Sequence, residues 1–330
     1  MKFINVCGYG NTGCTSQVDV LCDYEGVFGV LSPLQQTHHG KTAYHEIGVL
    51  KCLHSIGGVV IARLNGAKEL PSKKELINSL KGNQPGEGIE LNFGANLHLE
   101  MRQSLNAHYG NTYADLVDET FEGFPENLNN VELNVLIGLA REATSTWLMG
   151  LKSIVEANPN LLFRDGEKVE VLGLKNDPPG AFPLLASFIP EGITSAILRD
   201  PRDTTYDFNR HYKLGHTDQT VKNHCIHYNA QLNSARKQIE TYFELIKEHY
   251  FVHEFEHLVQ DEEYRNKYVE KMIGKRTKLR HYFTPENSAK NIGHYTNMTQ
   301  EHIDYVEENC LRNYLDYKEF LDKKGLLLQK

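Results

Sequence analysis

The residues able to do chemistry begin at the N-terminus. Gly8, Gly10 and Gly13 are closely spaced and lead into Cys14, Thr15 and Ser16. Gly8-x4-Gly13-x-Thr15 has the spacing of a phosphate-binding loop, with Cys14 where an ATPase loop carries Lys. Backbone N–H groups of such a turn point inward, and the start of a following helix adds partial positive charge. Taken alone, the stretch also reads as an ordinary strand-to-helix turn. A second group is Arg199-Asp-Pro-Arg-Asp203, in which a guanidinium can bind phosphate bidentately or form surface salt bridges to Asp200 and Asp203. Lys175 follows an apolar run and suits contact with a departing oxygen in a transfer reaction. Glu46 and His45 are neighbouring groups able to take a proton, a solvated polar loop being the plainer reading.

Two histidine motifs invite a metal reading. His253-Glu-Phe-Glu-His257 spells a zinc signature, which needs a helix and a third ligand. Tyr250 to Phe255 reads equally well as a strand, which would hold the two imidazoles apart. His224-Cys-Ile-His227 has no partner pair at metal spacing. No metal site is expected.

Elements must hold these groups in place. Phe3 to Cys7 reads as a strand, Gln17 to Tyr24 as a helix and Tyr24 to Ser32 as a second strand. Residues 66–165 read as mainly helical, with helical spacing clearest over Lys73 to Leu80 and Val131 to Ala157 and a loop over Gly82 to Gly94. Val169 to Leu174, Phe182 to Phe188 and Ile193 to Leu198 read as a strand–helix–strand crossover. Helices are expected over Glu240 to Glu248, Tyr264 to Ile273 and Gln300 to Leu321. The glycine loop, Lys175 and Arg199 each follow an expected strand, so they can meet in one crevice beyond the strands' carboxyl ends.

Composition sets outer limits. The 330 residues suit two domains or one large α/β domain, and a hydrophobic share of 40% with 24% charged residues is ordinary for a globular chain. A net charge of -8 argues against broad nucleic-acid binding but leaves room for a local basic pocket. Six cysteines without a C-x-x-C pair suggest reduced thiols. The N-terminus enters a strand with no leader, and no apolar run approaches the ~20 residues of a membrane span, so a cytoplasmic location is expected.

Ile197-Leu-Arg199-Asp-Pro-Arg-Asp203 resembles the 3′-phosphate-binding segment of sulfotransferases that use 3′-phosphoadenosine 5′-phosphosulfate. Four further stretches fall in the same order. The N-terminal loop is similar to the family's 5′-phosphosulfate loop, and Val169 to Lys175 to its strand ending in Lys. Phe255 to Asp261, before a helix closing at Gly274, resembles another strand end, and Phe283 to Tyr295 the cofactor-closing segment. The resemblance covers residues 1–50 and 168–310 and leaves the helical middle unmatched.

The resemblance implies one α/β domain over 1–330: a P-loop-like three-layer sandwich with a central parallel sheet and a helical insertion at about 66–165. It implies sulfuryl transfer from that nucleotide to a hydroxyl of a small molecule or glycan, with carbohydrate the leading class and no metal required. Gly10, Asn11, Thr12, Gly13, Cys14, Thr15 and Ser16 would cradle the 5′-phosphate. Arg199 would bind the 3′-phosphate, with Asp207 and Arg210 beside it and Lys290 and Asn291 in the closing segment. Glu46, His45 and Lys175 would be catalytic. Two positions depart from the family. Asn11 stands where Lys is frequent, a charge that Lys175 or Lys41 could supply. Asp207 stands where the family has Ser, so it points away, or meets a ribose hydroxyl, or the nucleotide lacks a 3′-phosphate. Arg210, Lys275 and Arg276 are the available compensating charges. A P-loop kinase-like phosphotransferase and a non-catalytic nucleotide-binding relative remain the alternatives.

Overall fold

The computed structural model describes residues 1–9, 13–29, 33–36, 42–44, 49–81, 112–157, 168, 170–176, 183–189 and 191–330. Five strands form one sheet: β1 (Lys2–Gly8), β2 (Val27–Gly29), β5 (Val171–Asn176), β6 (Ile193–Leu198) and β7 (Tyr250–Glu254). Their order is β2-β5-β1-β6-β7, and every neighbouring pair is parallel. A separate antiparallel pair, β3 (Pro33–Gln36) and β4 (Thr42–Tyr44), takes up part of the His-rich segment.

A parallel sheet must be covered on both faces, because its strands are apolar throughout. Alternation along the strands divides the core. Ile4, Val6, Val171, Ile197 and Phe251 face α1 (Cys14–Cys22) and a later helix, α10 (Glu262–Ile273). Cys7, Ala196, Leu198, Tyr250 and Val252 face α8 (Asp218–Ile246) and the C-terminal helix α13 (Arg312–Lys323). Phe3 and Leu172 join a third core with α2 (Val49–Leu64), α3 (Lys73–Lys81), α4 (Thr112–Thr120) and α5 (Leu133–Ala157). The expected helices near 73–80 and 131–157 therefore form, while 82–94 lies outside the described residues.

Two segments differ from expectation. The second strand begins at Val27 rather than Tyr24, with residues 30–32 outside the described ones, and the chain from 201 to 246 is helical almost throughout. It forms α7 (Pro201–His211) and then the 29-residue α8, whose main-chain bend lies at Tyr242 (φ -121°). Thr217 caps α8 through Thr220 N–H, and the Thr220 side chain reaches back in a capping box.

The strand order fixes where a ligand can sit. The chain leaves central β1 for outer β2, returns to β5, then crosses to β6 and β7 on the other side. β1 and β6 are neighbours, with Cys7 opposite Ala196 and Gly8 opposite Ile197. The connection after β1 enters α1 on one face, and that after β6 enters α7 and α8 on the other. A crevice opens where such connections diverge.

Gln17 fixes α1 beneath that crevice. Its Nε2 donates to the Cys7 carbonyl at 3.1 Å. Its Oε1 accepts from Ser195 Oγ at 2.9 Å, His253 Nε2 at 2.9 Å and Tyr268 OH at 3.2 Å. Gln17 and His253 have no exposed surface.

Candidate functional site

Gly13 is the hinge between the loop and α1. Its φ of 101° is left-handed, and a Cβ there would lie 2.4 Å from the Phe255 ring. Both facts require glycine. The first turn of α1, Cys14 to Ser16, lines a cavity of about 580 Å³. N–H groups of such a turn lack partners within the helix. Ser16 Oγ lies 3.3 Å from Ser288 Oγ, joining the turn to α11 (Pro285–Ala289).

Arg199 enters the same cavity from the end of β6. It is 2% exposed, and Tyr228 OH donates to its carbonyl at 3.2 Å. Its Nη2 donates to the Asn291 carbonyl at 2.5 Å and meets Asp207 Oδ2 at 2.7 Å. The guanidinium also lies 5.0 Å from the Phe255 ring centroid, within cation–π range.

The neighbouring charges hold the frame. Asp200 caps α7 at Arg202 N–H and binds the Arg202 side chain, with 2.7 Å from Nη2 to Oδ2. Arg202 also reaches Glu307 Oε1 at 2.6 Å and covers the Tyr295 ring. Asp203 accepts from Gly293 N–H at 2.9 Å and Tyr295 N–H at 3.0 Å, and burial pushes its carboxyl upward. The backbone N–H of Asp200 donates to Glu256, whose carboxyl burial also raises. Asp200 and Asp203 are thus engaged elsewhere, and the carboxylate on Arg199 is Asp207.

Asp207 does not point away. Besides Arg199, it meets His294 Nδ1 at 3.0 Å and Arg210 Nη2 at 3.5 Å through Oδ1. Two guanidiniums thus share one carboxylate at this corner.

The opposite wall belongs to α8. Thr205 Oγ1 donates its only proton to the Pro201 carbonyl at 2.7 Å, so at 2.9 Å it must accept from His224 Nδ1. That fixes His224 in the Nδ1–H tautomer, with Nε2 an acceptor on a ring that lines the cavity. Burial, reinforced by His227, pushes this imidazole down to about 4, which keeps it neutral. Gln231 Nε2 donates to His227 Nε2 at 2.8 Å. The other amide atom, Gln231 Oε1, is buried with no hydrogen-bond partner.

Several expected site residues meet. Gly13, Cys14, Thr15, Ser16, Arg199, Asp207, Arg210 and Asn291 all border the cavity. Others do not. Lys290 is exposed and turns to Asn287 Oδ1 at 3.2 Å, because the Asn291 carbonyl, not this ammonium, faces Arg199. Arg276 pairs with Glu170 at 2.9 Å beside β2, and Lys275 lies 3.8 Å from Glu270, so the basic loop closes the far edge of the fold. Lys175 occupies the carboxyl-terminal part of β5 opposite Val6. Gly10, Asn11, Thr12, Lys41, His45 and Glu46 lie outside the described residues.

The zinc-like motif divides between two elements. His253 lies in β7 and donates to Gln17, whereas His257 in α9 (Phe255–Gln260) stands 3.5 Å from Glu254. Among the described residues no group of three metal-binding side chains forms, and no helix is long and apolar enough to cross a membrane.

Sequence reading missed the α8 wall. Its signal was present: Val221, Cys225, Tyr228, Leu232, Ala235 and Ile239 alternate in steps of four and three, after a Thr-x-x-Thr cap. His224 and Gln231 sit seven residues apart on the same buried side. Compared with protein-family models, curated proteins and solved structures, the chain matches none.

Proposed function

We propose that this chain is a sulfotransferase of P-loop-like three-layer architecture. It moves a sulfuryl group from 3′-phosphoadenosine 5′-phosphosulfate to a hydroxyl, with carbohydrate the leading acceptor class. One observation carries the reading: the first turn of α1, Arg199 and Asn291, widely separated in sequence, border a single cavity. The order in which they occur along the chain is that of the family's phosphate-binding segments.

The donor set fits a phosphorylated nucleotide. The first turn of α1 offers N–H groups and the positive end of a helix, and Arg199 and Arg210 add charge at the adjoining corner. The bound nucleotide supplies the sulfuryl group. The N–H groups of Gly13 to Ser16 stabilise charge gathering on the departing 5′-phosphate, and Arg199 orients the 3′-phosphate. Glu46 or His45 would take the acceptor's proton, and Lys175 would stabilise charge on the bridging oxygen.

Adenosine 3′,5′-bisphosphate at 100-fold over its dissociation constant should stabilise the protein by about 2.7 kcal/mol, read as a rise in Tm. No shift at saturating concentration removes the reading. The Arg199–Asp207 contact favours a second reading, a phosphotransferase whose nucleotide has no 3′-phosphate. Mg2+-dependent ATP binding without bisphosphate binding would select it.

A further inference from the structure

The anion-binding residues account for one side of the cavity. Its other side carries a buried amide with an unfilled carbonyl. Gln231 is 9% exposed, lines the cavity, and its Oε1 has no hydrogen-bond partner. A buried carbonyl left without a donor costs about 1–3 kcal/mol, so a ligand that supplies one gains accordingly. The amide's orientation is set by His227, whose Nε2 accepts one of the two Nε2 protons at 2.8 Å. One N–H and the carbonyl oxygen remain.

That pair matches a particular partner. A carboxamide can donate to a ring nitrogen and accept from an adjacent exocyclic amine, the pairing by which Gln and Asn read adenine. Phe208 and Tyr212 border the same cavity, with ring centroids 4.7 Å apart, and Tyr212 is 57% exposed. They offer apolar and π surface for a planar base. A volume of about 580 Å³ is in the range of one drug-sized ligand. A single nucleotide can therefore reach from the α1 turn to α8.

We infer that the α8 wall is a nucleobase-reading subsite, in which the Gln231 amide pairs with the amine and ring nitrogen of adenine. The inference rests on the proposed nucleotide donor and names what selects its base. Inosine carries a carbonyl in place of the amine, and that oxygen would face Gln231 Oε1. A Leu side chain fills similar space without the amide.

Calorimetric titration with adenosine, inosine and guanosine 3′,5′-bisphosphates tests this. The wild-type protein should prefer adenosine by roughly tenfold or more. Gln231→Leu should erase the preference while still binding the inosine compound within about threefold of wild type. Equal binding of adenosine and inosine compounds by the wild-type protein overturns the subsite, even if the variant does not fold. Retained preference in Gln231→Leu does the same. Failure of all three compounds to bind overturns the donor reading along with it, so the two failures are distinguishable.

Discussion

Two polar clusters lie close to the β1–α1 turn, and they are built in opposite ways. Around Gln17, three donors converge on one amide oxygen, and the amide nitrogen is bonded to the Cys7 carbonyl. On α8, Gln231 Oε1 is buried with no protein donor. The first cluster fills the Gln17 amide and ties α1 to β6, β7 and α10, while His253 Nδ1 is left without a hydrogen-bond partner. The second leaves its amide carbonyl unfilled. Gln238, seven residues after Gln231, sharpens the contrast, because its Oε1 accepts from Leu184 N–H at 3.2 Å. Burial is thus not what separates the two amides on α8; the filling of the carbonyl is.

The largest expected effect breaks the Gln17 cluster. Gln17→Leu strands Ser195, His253 and Tyr268 together and should lower stability by about 3 kcal/mol or more, at roughly 1–3 kcal/mol per stranded donor. Urea unfolding should show a lower midpoint with an unchanged slope. A loss below about 1 kcal/mol would mean that water replaces the amide, contrary to a dry hub.

The next effect separates the clusters by pH. Unfolded, His253 and His224 take a proton near 6.5; folded, burial holds them down to about 3 and about 4. Between these values the unfolded chain binds more protons. Stability should therefore fall as pH drops below 6.5, by roughly 1.4 kcal/mol per pH unit for each ring. Asp203 and Glu256, whose carboxyls burial raises, act in the opposite sense at lower pH. His253→Gln should remove about half of the slope between about pH 5 and 6.5. A slope unchanged by that substitution would place the titration elsewhere.

The smallest effect concerns the charged corner between the two clusters. Asp207→Asn keeps the shape of the side chain and removes the negative charge on Arg199. Affinity for adenosine 3′,5′-bisphosphate should rise by roughly tenfold. Unchanged or weaker binding would make the Arg199–Asp207 pair part of the frame rather than a competitor for the anion.

Much of the sheet was legible because its strands are short apolar runs followed at once by unusual residues. β6 ends where Arg199 begins, and β1 ends at Gly8. Those boundaries placed the loop and Arg199 at the carboxyl ends of neighbouring strands. The α8 wall was not read, because its buried seam uses Cys225, Tyr228 and Ala235, residues of weak hydropathy that hide a regular period. Arg199's choice among Asp200, Asp203 and Asp207 was equally hidden. It depends on Arg202 holding Asp200 and on the Gly293–Tyr295 backbone holding Asp203. Lys290 and Asn291 were expected together, and only Asn291 borders the cavity, through a backbone carbonyl that has no sequence signature.

The strand order also bears on how the protein is made. β1 leaves the ribosome before the other described strands of its sheet and lies in the middle of them. Its partners are Val171 to Asn176 on one side and Ile193 to Ile197 on the other. At roughly 5–20 residues per second, the nascent segment waits on the order of ten to thirty seconds before either neighbour exists. Asn291 arrives later still. During that interval an apolar strand with both edges open is a target for wrong pairing. The earliest residues of the cavity therefore depend on some of the latest, and a truncated chain would expose β1 to aggregation before it lost any single contact of the site.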